Sequence, residues 1–186
     1  LWSEFTAEES LDRVQSSSGF AVGADGVLWV AGESQHGPTL GITAQQPDGS
    51  PHARLELDFG PLVNLDYADL ALSLDGNPVV AGVYRDEVAD RHSFLVKAGF
   101  NGEIEWSLVG QSQTGLDSVY RVSVLNDGRF VIFGFDNDTD GSALTYVSEG
   151  GVLEETLPLA VGGSIGTGGI LPTSEGDFLV AGRGSG

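Results

Sequence analysis

Short apolar stretches recur along the chain, each bounded by a polar turn that contains glycine. The run Asp25-Gly-Val-Leu-Trp-Val-Ala-Gly32 returns as Asp75-Gly-Asn-Pro-Val-Val-Ala-Gly82. It returns again as Asp127-Gly-Arg-Phe-Val-Ile-Phe-Gly134 and as Glu175-Gly-Asp-Phe-Leu-Val-Ala-Gly182. The period is about fifty residues, the signature of stacked supersecondary units. Two further landmarks keep the same order. A second turn stands at Pro47-Asp48-Gly49, Phe100-Asn101-Gly102 and Glu149-Gly150-Gly151, and a Leu-Asp pair at Leu11-Asp12, Leu65-Asp66 and Leu116-Asp117.

Each unit reads as four strands around two turns. In the second unit the strands fall at Leu70–Leu74, Pro78–Gly82, Phe94–Lys97 and Ile104–Leu108. In the third they fall at Tyr120–Leu125, Phe130–Gly134, Ala143–Val147 and Val152–Leu157. Asp-Gly and Asn-Gly favour two-residue hairpins in which both central residues take φ > 0. No segment carries a 3.6-residue apolar period over three turns, and Thr6–Asp12 offers one helical turn at most. The expected fold is all-β: a β-propeller of four-stranded antiparallel blades, with a flat solenoid or a sandwich as the rival. Leu1-Trp2-Ser3 matches the fourth-strand segment Glu105-Trp106-Ser107, and the chain stops after the second strand of a later unit. The count is three complete blades plus partial blades at both ends, in one domain over residues 1–186. That domain is either a piece of a larger propeller or a four-bladed ring closed by its N-terminal strand.

Charge narrows the partners. Lys and Arg total 8 against 27 Asp and Glu, a net charge of −19. Such a field repels phosphate backbones and anionic lipid, which argues against nucleic acid and membrane surfaces. No apolar run approaches the roughly 18 residues of a membrane span, and no signal peptide is legible. The chain has 28 Gly and no Cys, which removes disulfides, thiolate metal sites and cysteine nucleophiles.

The second unit carries a DG turn, the strand Val79-Val-Ala-Gly82, the strand Phe94-Leu-Val-Lys97, the turn Asn101-Gly102, and Trp106-Ser107 running to Gly110. This pattern resembles bacterial β-propeller repeats of the SBBP type. The first unit departs from it with Leu40-Gly-Ile-Thr43 in place of F-x-x-K, and the third with Leu144-Thr-Tyr-Val147. The resemblance implies a secreted or cell-surface bacterial scaffold, extracellular in location and without catalysis, and says nothing of a ligand; a protein or carbohydrate partner is the separate expectation for such a scaffold.

Candidate chemistry is sparse. Asp136-Asn137-Asp138-Thr139-Asp140-Gly141 fits D-x-D-x-D-G, the first half of a calcium loop, so Asp136, Asp138 and Asp140 are the candidate Ca²⁺ ligands. Position twelve is Val147, so the bidentate Glu of an EF-hand is missing. The bland alternative is an acidic solvated turn. His36 and His92 sit beside equivalent loops and His52 elsewhere, too few for a metal site by themselves. Gly162–Gly169 lacks the Lys of a phosphate loop and reads as an inter-blade connection. The repeated Asp12, Asp66 and Asp117 read as structural acceptors in the connection that precedes each first strand. The enzymatic alternative is a propeller glycosidase or lyase, which would need paired carboxylates near the axis. Trp2, Trp29, Trp106, Phe133 and Phe178 read as core.

Overall fold

The computed structural model describes residues 14–34, 39–57, 62–159, 165–173 and 178–184. Leu1-Trp2-Ser3, Thr6–Asp12, His36 and the turn at Glu175-Gly176 lie outside them. Four sheets follow one another in chain order. The first holds β1 (Val14–Val22), β2 (Leu28–Ser34), β3 (Leu40–Gln45) and β4 (Pro51–Leu57). The second holds β5 (Leu62–Leu72), β6 (Pro78–Asp86), β7 (Arg91–Ala98) and β8 (Ile104–Val109). After the single turn of helix α1 (Gln111–Thr114) come β9 (Ser118–Val124), β10 (Phe130–Asp136), β11 (Gly141–Val147) and β12 (Leu153–Pro158). The fourth sheet holds β13 (Ile165–Pro172) and β14 (Phe178–Gly184). All pairings are antiparallel between neighbours in sequence.

The turns differ from the expected two-residue form. In the second sheet Gly76 N–H donates to Ser73 O and Ser73 N–H to Asn77 O, which closes a three-residue loop. Only Gly76 takes a positive φ, at 83°. This is a type I turn followed by a left-handed residue. The same bond pair recurs at Gly26, Gly49, Gly102, Gly128 and Gly151. The acidic or amide residue before glycine needs no special backbone. It caps the turn instead: Asp25, Asp48, Asp75, Asn101 and Asp127 each accept the N–H two residues on.

The first strand of the second sheet also begins earlier than its alternation suggests, at Leu62 rather than Leu70. Register shifts between Leu62 and Asn64 and between Leu65 and Tyr67 break the two-residue period there. The pair Leu65-Asp66 therefore lies inside β5, not in a connection. Asp66 holds Arg85 at 2.9 Å and Arg91 at 3.1 Å. Asp117, just before β9, does accept a backbone N–H as expected, from Asn137 at 2.6 Å. Asp66 thus ties β5 to the facing ends of β6 and β7, and Asp117 ties the start of β9 to the residue that follows β10.

Burial explains the stacking. In β6 every residue from Pro78 to Tyr84 is buried, so both faces of the second sheet are covered. One face, with Leu70, Val80, Phe94 and Val96, joins Trp29, Ala31, Ile42 and Leu55 of the first sheet. The other, with Val79, Ala81 and Leu95, joins Val119, Val122, Phe130 and Ile132 of the third. Val131, Phe133 and Leu144 of the third sheet meet Ile170 and Val180 of the fourth. The outermost strands β8 and β12 stay largely exposed. The first strands pack on one another from sheet to sheet. The sheets come closest there: a Cβ on Gly19 of β1 would lie 2.4 Å from Asp69 Cα of β5.

The F-x-x-K lysine has a clear task. Lys97 is buried, and its ammonium pairs with Asp75 at 2.9 Å and Glu105 at 3.2 Å. Burial works against its charge, yet these two bonds hold its pKa above the ordinary lysine value. Trp106 bridges two sheets at the rim, its Nε1 donating to Glu149 O at 3.0 Å while the ring lies against Phe130.

The glycine that ends the apolar run of β10 serves its own sheet. A Cβ on Gly134 would stand 1.9 Å from Ser118 O, at the register shift between β10 and β9. Gly134→Ala is expected to cost about 3 kcal/mol, roughly 6–12 °C in Tm. Gly41→Ala, whose Cβ meets nothing closer than 3.6 Å, is the control and should stay within about 0.5 kcal/mol of the native chain. Thermal melts followed by circular dichroism check both.

Candidate functional site

The inner strands bring one ionisable side chain into the seam between two sheets. β5 reads Tyr67-Ala-Asp-Leu-Ala-Leu72, and Leu70 points into the apolar seam, leaving Asp69 where β1, β5 and β9 converge. Pairing with the second strand sets the equivalent positions. Asp69 lies opposite Ala81, as Gly19 lies opposite Ala31, Arg121 opposite Phe133 and Gly169 opposite Ala181. One inward position thus holds Gly, Asp, Arg and Gly in successive sheets.

Asp69 Oδ2 accepts the N–H of Val122 in β9 at 2.9 Å, a hydrogen bond that crosses the seam. Desolvation by the surrounding sheets disfavours its charge and pushes its pKa up to about 6, although the bonds from Val122 and Leu70 N–H work the other way. Arg121 of β9 donates from Nη1 to Tyr120 O, and burial lowers its pKa. By contrast, the His92 hydrogen bond holds Asp86 below the usual carboxylate range, and the Arg129 N–H does the same for Asp127. A half-buried carboxyl held near neutrality is equipped to donate a proton.

A second cluster forms in the third sheet. The expected ligands Asp136 and Asp138 lie in and after the end of β10, and Asp138 N–H donates to Asp136 Oδ1 at 3.0 Å. Asp140 takes φ 48° and is exposed, its N–H donating to Asn137 O. The companion of the first two is Asp117 instead. Gln111 Nε2 stands 3.3 Å from Asp117 Oδ2, 3.5 Å from Asp136 Oδ1 and 3.2 Å from Asp138 Oδ2. Asp136, Asp138, Gln111 and Thr156 line an open cleft of about 470 Å³. Its oxygen donors suit a hard cation, but among the described residues no three His, Asp or Glu form a metal-holding group. The repeat marked Asp117 as a structural acceptor rather than as a partner of this motif, and Gln111, some twenty-five residues before the motif, carries no pattern of its own.

The remaining candidates are structural. His52 Nδ1 pairs with Gln46 Nε2 at 2.7 Å and its ring meets Trp29 edge-on. His92 Nε2 donates to Asp86 Oδ2 at 2.9 Å and the ring packs on Tyr84. Trp29 and Phe133 are core, as expected. Among the described residues no helix is long and apolar enough to cross a membrane.

Comparison with solved structures defines the fold class. The chain is similar in structure to a protein assigned as an exo-beta-1,3-galactanase from Bifidobacterium bifidum. The TM-score is 0.57 and the identity 12%, over 84% of this chain and 58% of that one. It is also similar to an alpha-L-arabinofuranosidase from Clostridium thermocellum, with a TM-score of 0.49 and 10% identity over 88% and 59% of the two chains. The chain therefore spans less than two thirds of the length of either. The first of these is a β-propeller, and the four-stranded antiparallel sheets described above share the architecture of its blades. No protein-family model matches the chain, and no curated protein is similar to it in sequence.

The raised pKa of Asp69 has a consequence for stability. Between pH 3.8 and about 6 the folded chain holds a proton there that the unfolded chain has released. Stability from this group is thus complete below pH 3.8 and is lost as pH rises through 6. Asp69→Asn keeps an acceptor for Val122 without the charge. It is expected to match the native chain near pH 4 and to gain up to about 3 kcal/mol near pH 8, at 1.36 kcal/mol per pKa unit. Paired thermal melts across that range check it.

Proposed function

We propose that the chain is the blade-bearing part of a carbohydrate-active propeller and that Asp69 is its proton donor. The observation that carries the reading is the position and state of this carboxyl. It sits on an inner strand, where blades converge on a propeller's central channel, and burial raises its pKa to about 6. Fold alone does not supply a function. The galactanase likeness adds a substrate class, a β-1,3-linked galactan, to a group that keeps its proton below about pH 6. In glycoside hydrolysis one carboxylic acid protonates the leaving oxygen while a second carboxylate serves as base or nucleophile. Asp69 fits the first role.

The test is incubation with β-1,3-galactooligosaccharides, followed by product analysis and calorimetric binding. Hydrolysis should fall as pH rises through about 6, and Asp69→Asn should lose it while still binding sugar. Binding without hydrolysis in the native chain would favour the non-catalytic scaffold. Absence of both binding and hydrolysis would remove the glycan reading altogether.

A calcium ion at the third-blade cluster is a separate proposal. Its support is that Asp117, Asp136 and Asp138 converge on one neutral amide, Gln111 Nε2, and that their other donors, the Asn137 and Asp138 N–H groups and the Thr139 hydroxyl, are neutral too. Binding to the folded state raises Tm by mass action. Millimolar Ca²⁺ should therefore raise the melting temperature of the native chain and leave that of Asp138→Ala unchanged. An equal shift in both would reduce the cluster to an acidic turn.

A further inference from the structure

With 8 Lys and Arg against 27 Asp and Glu, the common arrangement is one cation among several acids. Lys97 meets both Asp75 and Glu105, and Arg129 meets both Asp127 and Glu154. One place in the second blade reverses that ratio. Arg85, next to last in β6, and Arg91, first in β7, lie opposite each other in the ladder and share a single carboxylate, that of Asp66. Arg85 Nε donates to its Oδ1 at 3.0 Å and its Oδ2 at 2.9 Å, and Arg91 Nε stands 3.1 Å from Oδ2. Asn64 Nδ2 also donates to Oδ1, at 2.8 Å. The Asp66 side chain is 14% exposed, whereas those of Arg85 and Arg91 are 45% and 49% exposed. Each guanidinium has used only its Nε. Both Nη nitrogens of each remain, and they form the planar fork that matches a carboxylate. Among the described residues neither arginine has a second acid. Asp86, next to Arg85 in the chain, gives its oxygens to the N–H groups of Val88 and Asp90 and to His92. Glu87 and Asp90 are exposed and form no ion pair with either arginine.

The fold does not require two arginines here. Tyr67 opposite Val83 corresponds to Ser118 opposite Phe135, so Asp117 of the third blade is the counterpart of Asp66. Asn137 and Asp140 stand where the second blade has Arg85 and Arg91. Asp117 takes its hydrogen bonds from the Asn137 N–H and the Gln111 amide, with no cation. One arginine would answer the charge of Asp66. The second leaves a surplus positive charge and sets two like charges against each other. A further oxyanion held between the two forks relieves both. The pair also lies on the second blade, which is packed on the first and on the third, away from any face on which a further blade would stack.

We infer that Arg85 and Arg91 form a binding site for the carboxylate of an acidic sugar, a uronate, borne by the glycan on which Asp69 acts. The glycan as carrier rests on the reading of Asp69 given above; the carboxylate rests on the forks alone. Asp66 shows that the pair accepts a carboxylate, and bidentate pairing with arginine is the strong form of that contact. The position suits a subsite. Asp66 precedes Asp69 on β5 by three residues, about 10 Å along a strand. Arg85 and Arg91 stand one and two strands outward from β5, about 5 and 10 Å across the sheet. A sugar chain lying across this end of the second blade passes the arginines before it reaches Asp69.

The test is a titration read by calorimetry and by the arginine Nε–H resonances. The probes are trigalacturonate, the neutral galactotriose, inorganic sulfate and a hexaglutamate peptide, all in moderate salt. Trigalacturonate should move the resonances of Arg85 and Arg91, and galactotriose should leave them in place. Arg85→Gln and Arg91→Gln should each weaken trigalacturonate binding about tenfold. Each variant leaves Asp66 one arginine, so β5 stays tied and circular dichroism should not change. If a glutamine variant fails to fold, the lysine variant at that position keeps the charge, loses the fork and should show the same weakening. Asp69→Asn should bind trigalacturonate as the native chain does. Hydrolysis is not read, so a failure of the Asp69 reading leaves these results untouched. Trigalacturonate that moves neither resonance, or that binds the glutamine variants as well as the native chain, would overturn the inference. Sulfate bound as tightly as trigalacturonate would overturn it by reducing the pair to a general anion site. The glutamate peptide bound more tightly would overturn it by making the partner a protein.

Discussion

A β-sheet with apolar residues on both faces cannot stay single in water. Removing about 25 cal/mol of unfavourable hydration per Å² is the largest favourable term open to such a chain, and it is gained only when each face finds another sheet. The second blade satisfies this on both sides, and its β6 strand is buried without interruption from Pro78 to Tyr84. Most other features follow from that requirement. First strands converge, so their residues shrink to Gly19 where backbones touch. Fourth strands diverge, so β8 and β12 face solvent, and a side chain as large as Trp106 is needed to span the gap.

The same convergence gives the inner position its chemistry. A polar side chain there is drawn into a narrow seam and loses water, and Asp69 meets that cost by accepting the Val122 N–H and, below about pH 6, by keeping its proton. At the equivalent places the chain carries Gly19, Arg121 and Gly169, which neither donate nor accept a proton near neutrality. Chemistry in this fold is thus a matter of which residue each repeat places at one geometric point. The scaffold around that point is nearly constant.

The repeat, the four-strand units and the stacking were legible because period-two apolar strands and D-G turns leave their mark on any sequence that must bury sheets on both sides. The kind of turn was not. Asp-Gly favours the two-residue hairpin locally, but here the aspartate is used as a cap on a three-residue loop, and only the backbone bonds distinguish the two. The early start of β5 was hidden by its two register shifts, which put Leu65 and Asp66 out of phase with the strand they belong to. Asp69 was one acid among 27 until a neighbouring sheet covered it. Asp117, Asp136 and Gln111 meet only through the fold, so the D-x-D-x-D-G motif, read along the chain, could not name Asp117 or Gln111 as neighbours of Asp136 and Asp138.

Among the described residues strand pairing is confined to sequence neighbours within each unit, while burial depends on the next unit along. During synthesis each blade can therefore close its hairpins as soon as it emerges, yet it shows an apolar wall to the surroundings until its successor arrives. Nascent chains side by side on one message would present matching walls to each other at high local concentration. A net charge of −19 supplies a long-range repulsion that slows such encounters without weakening the short-range packing within one chain. The acidity is thus a kinetic safeguard for a fold whose parts are interchangeable.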